Sequence, residues 1–170
     1  MDLFVVPTIG FKLLYAFVIV RRNRRDLVWI NVATNPRSEW VARQITEAFP
    51  WNEAPRYMIR DRDRIYGAAV TRRLLAMGIR DKPIAPASPR QNGFAERLIG
   101  SIRRGCLDHI IVLGQAHLRR ILKSYALYYN ETRTHLALSK DAPVSRPVQR
   151  VGVIRSRAIL GGLHHHYTRA

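Results

Sequence analysis

Three closely spaced runs of β-branched and aromatic residues constrain the fold of this chain more than any other feature. They lie at Asp2–Thr8, Phe11–Val20 and Leu27–Ala33, and their composition is typical of β-strands. The connections between them are short, whereas parallel neighbours need a crossover of a dozen or more residues. The sequence therefore predicts an antiparallel three-stranded meander at the start of the chain.

Beyond the third run, the hydrophobic period changes from that of strands to that of helices, with short apolar segments in between. These segments alternate in the order Glu39–Phe49 (helix), Arg56–Ile59 (strand), Val70–Met77 (helix), Ile79–Ala85 (strand), 86–104 (helix) and His117–Tyr129 (helix). Pro50 and Gly78 end the first two helices. The order predicts an α/β fold with a mixed five-stranded sheet, three antiparallel strands followed by strand–helix units, flanked by helices.

The segment from Pro86 to Arg104 combines a turn with an amphipathic helix. Its apolar residues recur at helical spacing and form one core-facing stripe of Ala95, Leu98, Ile99, Ile102 and Cys106. Glu96 lies on the flank of that stripe, where a carboxylate can meet a strand edge. Ser88 and Gln91 have the spacing of a capping box with proline at the first helical position, and Gly93 leaves a later start of the regular helix open.

The chain is strongly basic. Its 170 residues include 29 Lys and Arg against 12 Asp and Glu, which gives a net charge of +17. This excess predicts a polyanionic partner, most simply nucleic acid bound in a salt-sensitive way. An anionic membrane surface is a weaker competitor. The length suits one domain with a sizeable core.

Cys106 is the only cysteine, so no internal disulfide can form, and its place on the apolar stripe predicts a small core residue. The apolar run Phe11–Val20 is too short to span a bilayer and lacks the features of a signal peptide. These observations predict a soluble, cytoplasmic protein that does not associate with membranes.

Three acidic residues occupy special places in this layout. Asp2 lies on the first strand, Asp61 at the carboxyl end of the fourth, and Glu96 on the flank of the later helix. Three carboxylates brought together repel one another, and a divalent cation suited to hard oxygen ligands, such as Mg²⁺ or Mn²⁺, relieves that repulsion. Paired ions of this kind perform in-line phosphoryl transfer. The competing interpretation of Glu96 is an ordinary solvated or ion-paired helix residue beside Arg97.

Four segments, taken in order, resemble the catalytic core of insertion-sequence transposases and retroviral-type integrases. Asp2 heads a first strand, as the first aspartate of that family does. The residues of Ile59–Tyr66 are similar to the family's Ser-Asp-Asn-Gly-x-x-Phe segment, and those of Pro86–Glu96 to its Pro-x-Ser-Pro-x-x-Asn-Gly-x-x-Glu motif. Tyr129–Leu138 resembles the Tyr-Asn-x-x-Arg-x-His-x-x-Leu stretch that follows the core in such transposases.

The resemblance implies a ribonuclease H-like fold and an Asp-Asp-Glu triad. In that triad, Asp2, Asp61 and Glu96 bind two Mg²⁺ or Mn²⁺ ions and catalyse the cleavage and joining of DNA strands. The interval of 35 positions between Asp61 and Glu96 is close to the one characteristic of the family. Asp63 stands where the family usually has glycine and competes for the second metal position, for which strand register favours Asp61.

The resemblance covers residues 1–147 and leaves 148–170 as a C-terminal tail. Relatives have strand residues before the first aspartate and commonly a helix-turn-helix domain upstream, so we expect Asp2 to lie on a frayed, truncated first strand. Two functions follow: an active transposase or integrase core, or a catalytically inactive DNA-binding remnant that pairs with a full-length transposase. A basic RNA-binding protein is a third alternative, which leaves the ordered acids unexplained.

Basic and polar residues around Glu96 are the candidate DNA contacts. They form two groups, Arg97, Arg103 and Arg104 on the helix, and Arg90, Gln91 and Asn92 in the turn before it. A solvated helix face is the alternative for the first group. The expected partners are DNA, as transposon ends and target, and a second copy of the chain or a full-length transposase.

Several aromatic residues and histidines receive structural interpretations. Trp29 and Trp40 are predicted to pack in the core or against a helix rather than to stack on bases. His135 is predicted to make a structural hydrogen bond, with phosphate contact as the alternative. The run His164–His166 is predicted to be solvated rather than to bind a metal.

Overall fold

The computed structural model describes residues 1–50, 53–86 and 88–170, so that Ala87 of the Pro86–Glu96 segment lies outside the described residues. The first three strands are β1 (Asp2–Pro7), β2 (Leu13–Val20) and β3 (Leu27–Ala33). They pair antiparallel in the order β1-β2-β3, which confirms the predicted meander.

Strand β2 begins two residues later than the sequence predicts. Phe11 has a φ of 58° in the connecting turn, a left-handed conformation that interrupts an extended strand. The turn is closed by the Thr8 hydroxyl, which accepts a hydrogen bond from the Lys12 amide at 3.1 Å. The hydrophobic pattern therefore identifies the strand, and the turn decides where it starts.

Further helices and strands follow the meander. They are α1 (Ser38–Ala48), β4 (Tyr57–Arg60), α2 (Ala68–Ala76), β5 (Arg80–Pro83), α3 (Gly93–Gly105), α4 (Gln115–Glu131), β6 (Ile154–Ile159) and β7 (His164–Arg169). The order of elements from α1 to α4 is as predicted, and two further strands, β6 and β7, follow in the segment predicted to be a tail. Within the described residues, no helix has both the length and the apolar character needed to cross a membrane.

The strands do not form the single five-stranded sheet that the sequence predicts. Strands β4 and β5 pair parallel in a sheet of their own, separate from β1-β2-β3. The terminal ammonium group of Met1 donates a hydrogen bond to the carbonyl oxygen of Ile59 in β4 at 2.7 Å. A ladder needs successive residues of two strands side by side, and within the described residues β1 and β4 form no ladder. The sheet is divided between these two strands.

Two hydrophobic clusters cover the two faces of the three-stranded sheet. Alternate residues of β2 point to opposite faces: Ala16 and Val18 join the cluster under α3 and α4, while Phe17 and Ile19 join the cluster under α1 and α2. The result is a sheet sandwiched between two helical layers. Cys106 is fully buried in the first cluster, and burial raises the pKa of its thiol to about 11.

The helical stripe predicted for α3 is confirmed, but the predicted capping box is wrong. A 3₁₀ turn, Pro89–Asn92, precedes the helix, and the Ser88 hydroxyl does not cap it. The side-chain oxygen of Gln91 accepts a hydrogen bond from the Ala85 amide at 2.9 Å, so it is not available to reach back to Ser88. The regular helix starts at Gly93, the later of the two starts that the sequence left open.

Trp29 and Trp40 both pack against the second cluster. The indole N–H of Trp29 donates to the Gln44 side chain at 3.1 Å, and the Trp40 ring meets Phe17 edge-on with centroids 6.1 Å apart. These contacts confirm the packing roles predicted for both tryptophans.

The segment predicted to be a tail contains a β-hairpin of β6 and β7. The His164 ring stacks on Tyr128 of α4 with centroids 4.0 Å apart and planes 8° from parallel. Its Nε2 lies 2.6 Å from the carbonyl oxygen of Gly105. His164 therefore docks the hairpin onto α3 and α4 and does not belong to a solvated run.

Candidate active site

The three predicted acids lie at the ends of three different elements. Asp2 is the first residue of β1, Asp61 directly follows β4, and Glu96 lies in the first turn of α3. Met1 connects these ends, because its ammonium group binds Ile59 and its carbonyl oxygen accepts a hydrogen bond from the Asn92 side chain at 3.4 Å. The fold thereby places the start of β1 next to the end of β4 and the start of α3.

The environment of Asp2 reflects this convergence. Its pKa is raised to about 6, mainly by burial, and the charges of Asp61 and Glu96 raise the pKa further. The Leu3 amide, which donates to Asp2 Oδ1 at 2.8 Å, and the terminal ammonium group lower the pKa. Both Asp61 and Glu96 are therefore within electrostatic range of Asp2.

The three carboxylates are not arranged as a preformed cage. In the described parts of the chain, no three His, Cys, Asp or Glu side chains are close enough together to hold a metal ion. The side chains nevertheless suit Mg²⁺ or Mn²⁺ chemically, since all three candidate ligands carry hard carboxylate oxygens. Their mutual repulsion is a cost that a bound cation would offset.

Asp61 and Asp63 have different surroundings. Asp61 Oδ1 accepts a hydrogen bond from the Asp63 amide at 3.1 Å, and Arg60 Nη1 donates to the Asp61 carbonyl oxygen at 3.1 Å. Asp63 is exposed, and its Oδ1 accepts from the Ile65 amide at 3.0 Å. The charge of Asp61 raises the pKa of Asp2, whereas Asp63 is not among the causes of that shift.

Tyr66 lies near Asp2 and Asp61, and the sequence predicted no role for it beyond its place at the end of the Ile59–Tyr66 motif. Its hydroxyl is buried and has no hydrogen-bond partner among the described residues. Burial raises its pKa well above the ordinary value, and the charges of Asp2, Asp61 and Asp63 raise it further. The hydroxyl therefore stays protonated beside the carboxylates. The only sequence signal was tyrosine at a position where the family has phenylalanine.

The turn before α3 does not present its three candidate DNA contacts equally. Arg90 is exposed, whereas Gln91 is engaged with the Ala85 amide. Asn92 is buried, with 6% of its surface exposed, and it donates to the Met1 carbonyl oxygen. Asn92 thus holds the junction of β1 and α3 together, and it leaves little surface for contact with DNA.

The three candidate arginines of α3 lie on different sides of the helix. Arg103 Nη2 donates to the carbonyl oxygen of Val5 in β1 at 3.2 Å, and its guanidinium lies 5.7 Å from the Phe4 ring centroid. At 3.6 residues per turn, Arg97 and Arg104 share a different side. Both line one cavity with Arg25. Glu96 and Arg103 therefore face β1, away from the other two arginines.

The raised pKa of Asp2 predicts a pH-dependent stability. Between about pH 4 and pH 6, the folded chain retains a proton on Asp2 that the unfolded chain has released, so its stability falls as the pH rises through that window. Asp2→Asn should remove this fall and raise the free energy of unfolding above pH 6 by about 1–2 kcal/mol, allowing for partial solvent exposure. Urea unfolding at pH 4, 5, 6 and 7 in a metal-free buffer measures the effect. Parallel pH profiles for the two proteins would contradict the prediction.

Comparison with known proteins identifies the fold. Residues 77–143 match the family described as integrase core domain. A chain of the cryo-EM structure of the simian T-cell lymphotropic virus intasome in complex with PP2A regulatory subunit B56 gamma is similar, with a TM-score of 0.67 and 13% identity. That similarity covers 98% of this chain but 64% of the matched chain, so this chain spans less than two thirds of that chain's length.

A second solved structure is similar to this chain in its fold. The catalytic core domain of BIV integrase is similar with a TM-score of 0.53 and 14% identity, over 84% of this chain and 88% of that one. No curated protein sequence matches the chain. At these identities the structural similarity establishes the fold, which is ribonuclease H-like with a divided sheet. The resemblance to integrase and transposase cores is thus confirmed: the chain has the fold of an integrase catalytic core, and its residues 77–143 match the model of the integrase core domain family.

Proposed function

We propose that this chain is the catalytic core of a transposase or integrase that cleaves and joins DNA strands with divalent metal ions. The observation that carries the proposal is the placement of Asp2, Asp61 and Glu96 at the adjoining ends of β1, β4 and α3, which Met1 links through Ile59 and Asn92. The charges of Asp61 and Glu96 raise the pKa of Asp2, in accord with that placement. Acids gathered in a chain of net charge +17 fit a substrate whose phosphates the arginines bind. We place the core within residues 1–147.

The proposed mechanism gives each group one role. Asp2, Asp61 and Glu96 would hold Mg²⁺ or Mn²⁺ ions, which supply Lewis-acid stabilisation of the charge that develops in in-line phosphoryl transfer. Water is the attacking group in cleavage, and a DNA 3′-hydroxyl is the attacking group in strand joining. Arg60 holds the backbone at Asp61, and the Tyr66 hydroxyl stays protonated, available to donate a hydrogen bond to a neighbouring carboxylate.

The proposed partners follow from charge and from the similar structures. DNA, as element ends and target, is the substrate that the basic surface favours. One similar structure is described as an intasome, which motivates the proposal that this chain acts as an oligomer, either with copies of itself or with a full-length transposase.

Plasmid nicking with paired aspartate variants tests the proposal. We expect the protein to nick supercoiled plasmid in Mg²⁺ or Mn²⁺ but not in EDTA. Asp61→Asn should lower the rate at least about a hundredfold, whereas Asp63→Asn, the same chemical change two positions away, should stay within about threefold of the unmodified protein.

Three outcomes separate the alternatives. Loss of nicking in Asp63→Asn alone would move the second metal position to Asp63. Nicking that survives Asp61→Asn would contradict the carboxylate site. Salt-sensitive DNA binding without cleavage in any metal would favour the inactive DNA-binding remnant.

A further inference from the structure

A cavity of about 200 Å³ lies beside α3, on the side away from β1 and the Asp2 cluster. Three arginines line it, Arg25 from the β2–β3 turn and Arg97 and Arg104 from α3, together with Ser101, His135 and Phe94. We call this set of residues the arginine cradle. Its lining, within the described residues, contains no Asp or Glu. The cradle is therefore a concentration of positive charge without an internal counter-charge.

Two guanidinium groups of the cradle, those of Arg25 and Arg97, lie against an aromatic ring rather than an acid. The Cζ atoms of Arg25 and Arg97 lie 5.4 and 5.6 Å from the centroid of the Phe94 ring. In the described chain, neither arginine nor Arg104 lies within ion-pair distance of a carboxylate. Contact with an aromatic face orients a guanidinium and leaves N–H groups free for an anion.

The backbone around the cradle is adapted to these side chains. Arg25 has a φ of 61°, a left-handed conformation that residues other than glycine rarely adopt. The guanidinium of Arg104 lies over Gly100, where an added Cβ atom would approach its Nη1 and Nη2 to 3.2 and 3.3 Å. The missing side chain at Gly100 therefore leaves space for Arg104 to fold over the helix.

The side chain of His135 also lines the cavity. Its Nε2 is buried and has no hydrogen-bond partner among the described residues. Burial and the charges of Arg133 and Arg25 lower the pKa of the ring.

We propose that the arginine cradle binds a backbone phosphate of a nucleic-acid strand. Three arginine side chains line the cavity with no acid among the lining residues, and Ser101 adds a hydroxyl. The forked N–H groups of a guanidinium match the geometry of phosphate oxygens. The cradle and Glu96 lie on different sides of α3, so a strand whose scissile phosphate meets the carboxylates crosses the helix to reach the cradle. The assignment of a nucleic-acid phosphate rather than free phosphate rests on the proposed function. The assignment of an anion site does not depend on that function.

DNA affinity measured in EDTA tests the cradle without cleavage. A fluorescent 20-base-pair duplex, its single strand and inorganic phosphate are the probes. The double variant Arg25→Gln/Arg104→Gln should bind the duplex at least about tenfold more weakly, with a shallower dependence of log K on log salt. The control double variant Arg72→Gln/Arg73→Gln removes the same charge from exposed residues of α2 and should change affinity less than about threefold.

A variant that keeps every charge separates geometry from net charge. Gly100→Ala places a methyl carbon 3.2 and 3.3 Å from Arg104 Nη1 and Nη2, so that the guanidinium must shift, and we expect weaker DNA binding with the fold unchanged. In the unmodified protein, bound duplex should raise the pKa of His135, followed by NMR, because an anion stabilises the imidazolium. The rise should vanish in Arg25→Gln/Arg104→Gln.

The remaining outcomes test the arginine cradle and the proposed catalysis separately. Equal DNA affinities for the cradle and control double variants would overturn the cradle, even in a protein that nicks DNA. Weaker binding by the cradle variants in a protein that never nicks DNA would sustain the cradle and reject the proposed catalysis. Inorganic phosphate that binds as tightly as the duplex and shifts His135 equally would identify a free-phosphate site and overturn the nucleic-acid assignment.

Discussion

Glu96→Gln is expected to reduce metal-dependent DNA nicking at least about a hundredfold while the fold and DNA affinity are retained. Glutamine has nearly the same size as glutamate, so the exposed side chain of α3 loses only its charge. Without that charge, the set of three acidic residues attracts a cation less strongly. The pKa of Asp2 should also fall, because Glu96 no longer raises it. Single-turnover nicking in Mg²⁺ and Mn²⁺ measures the loss.

The control for this change is Glu47→Gln. Glu47 is an exposed glutamate on α1, in the helical layer on the other face of the sheet. The Glu47→Gln protein should nick DNA at the rate of the unmodified protein. Both variants should bind DNA within about twofold of the unmodified protein. Equal nicking rates for Glu96→Gln and Glu47→Gln would remove Glu96 from the active site.

Asp81→Asn is expected to lower the free energy of unfolding by about 2–3 kcal/mol, near the lower end of what breaking a buried ion pair costs. Asp81 of β5 receives two hydrogen bonds from Arg60 of β4, at 2.8 and 2.6 Å. Both side chains are largely buried, with 11% and 18% of their surfaces exposed. The neutral amide leaves the Arg60 charge buried without its counter-charge. A lower urea midpoint at unchanged slope measures the cost.

The pair formed by Arg21 and Asp26 provides the comparison. Its atoms are 3.6 Å apart, and Arg21 is 56% exposed, so Arg21→Gln should change the free energy of unfolding by less than about 1 kcal/mol. Asp81→Asn should also slow nicking severalfold, because Arg60 donates to the Asp61 backbone. Equal stabilities of the two variants would contradict the structural role assigned to Arg60.

Much of the architecture follows from local patterns. The helical stripe that contains Ala95, Leu98 and Ile102 predicted the buried face of α3 correctly, because the period of a helix determines which residues share a face. The position of Glu96 beside that stripe follows from the same period. Element bounds were less predictable, since Phe11 and the turn before α3 depend on backbone conformations that composition does not specify.

The details of the site depended on contacts between distant segments. From the sequence, Arg97, Arg103 and Arg104 were predicted together as DNA contacts, but a hydrogen bond to Val5 places Arg103 against β1. Asn92 was also predicted as a DNA contact, whereas the residue is buried against Met1. Which neighbours surround a side chain is settled by packing between elements, and a single sequence does not encode those neighbours by spacing.

The sequence by itself determined the order of strands and helices, the basic character and the three acids in their motifs, because periodicity, charge and spacing are local properties. Only the tertiary structure decided that the sheet is divided and that Arg25 joins Arg97 and Arg104 around one cavity. It also decided that the Tyr66 hydroxyl and His135 Nε2 are buried with no hydrogen-bond partner in the described parts of the chain. Each of these depends on where elements far apart in the chain pack against one another, and burial and electrostatic coupling exist only after that packing.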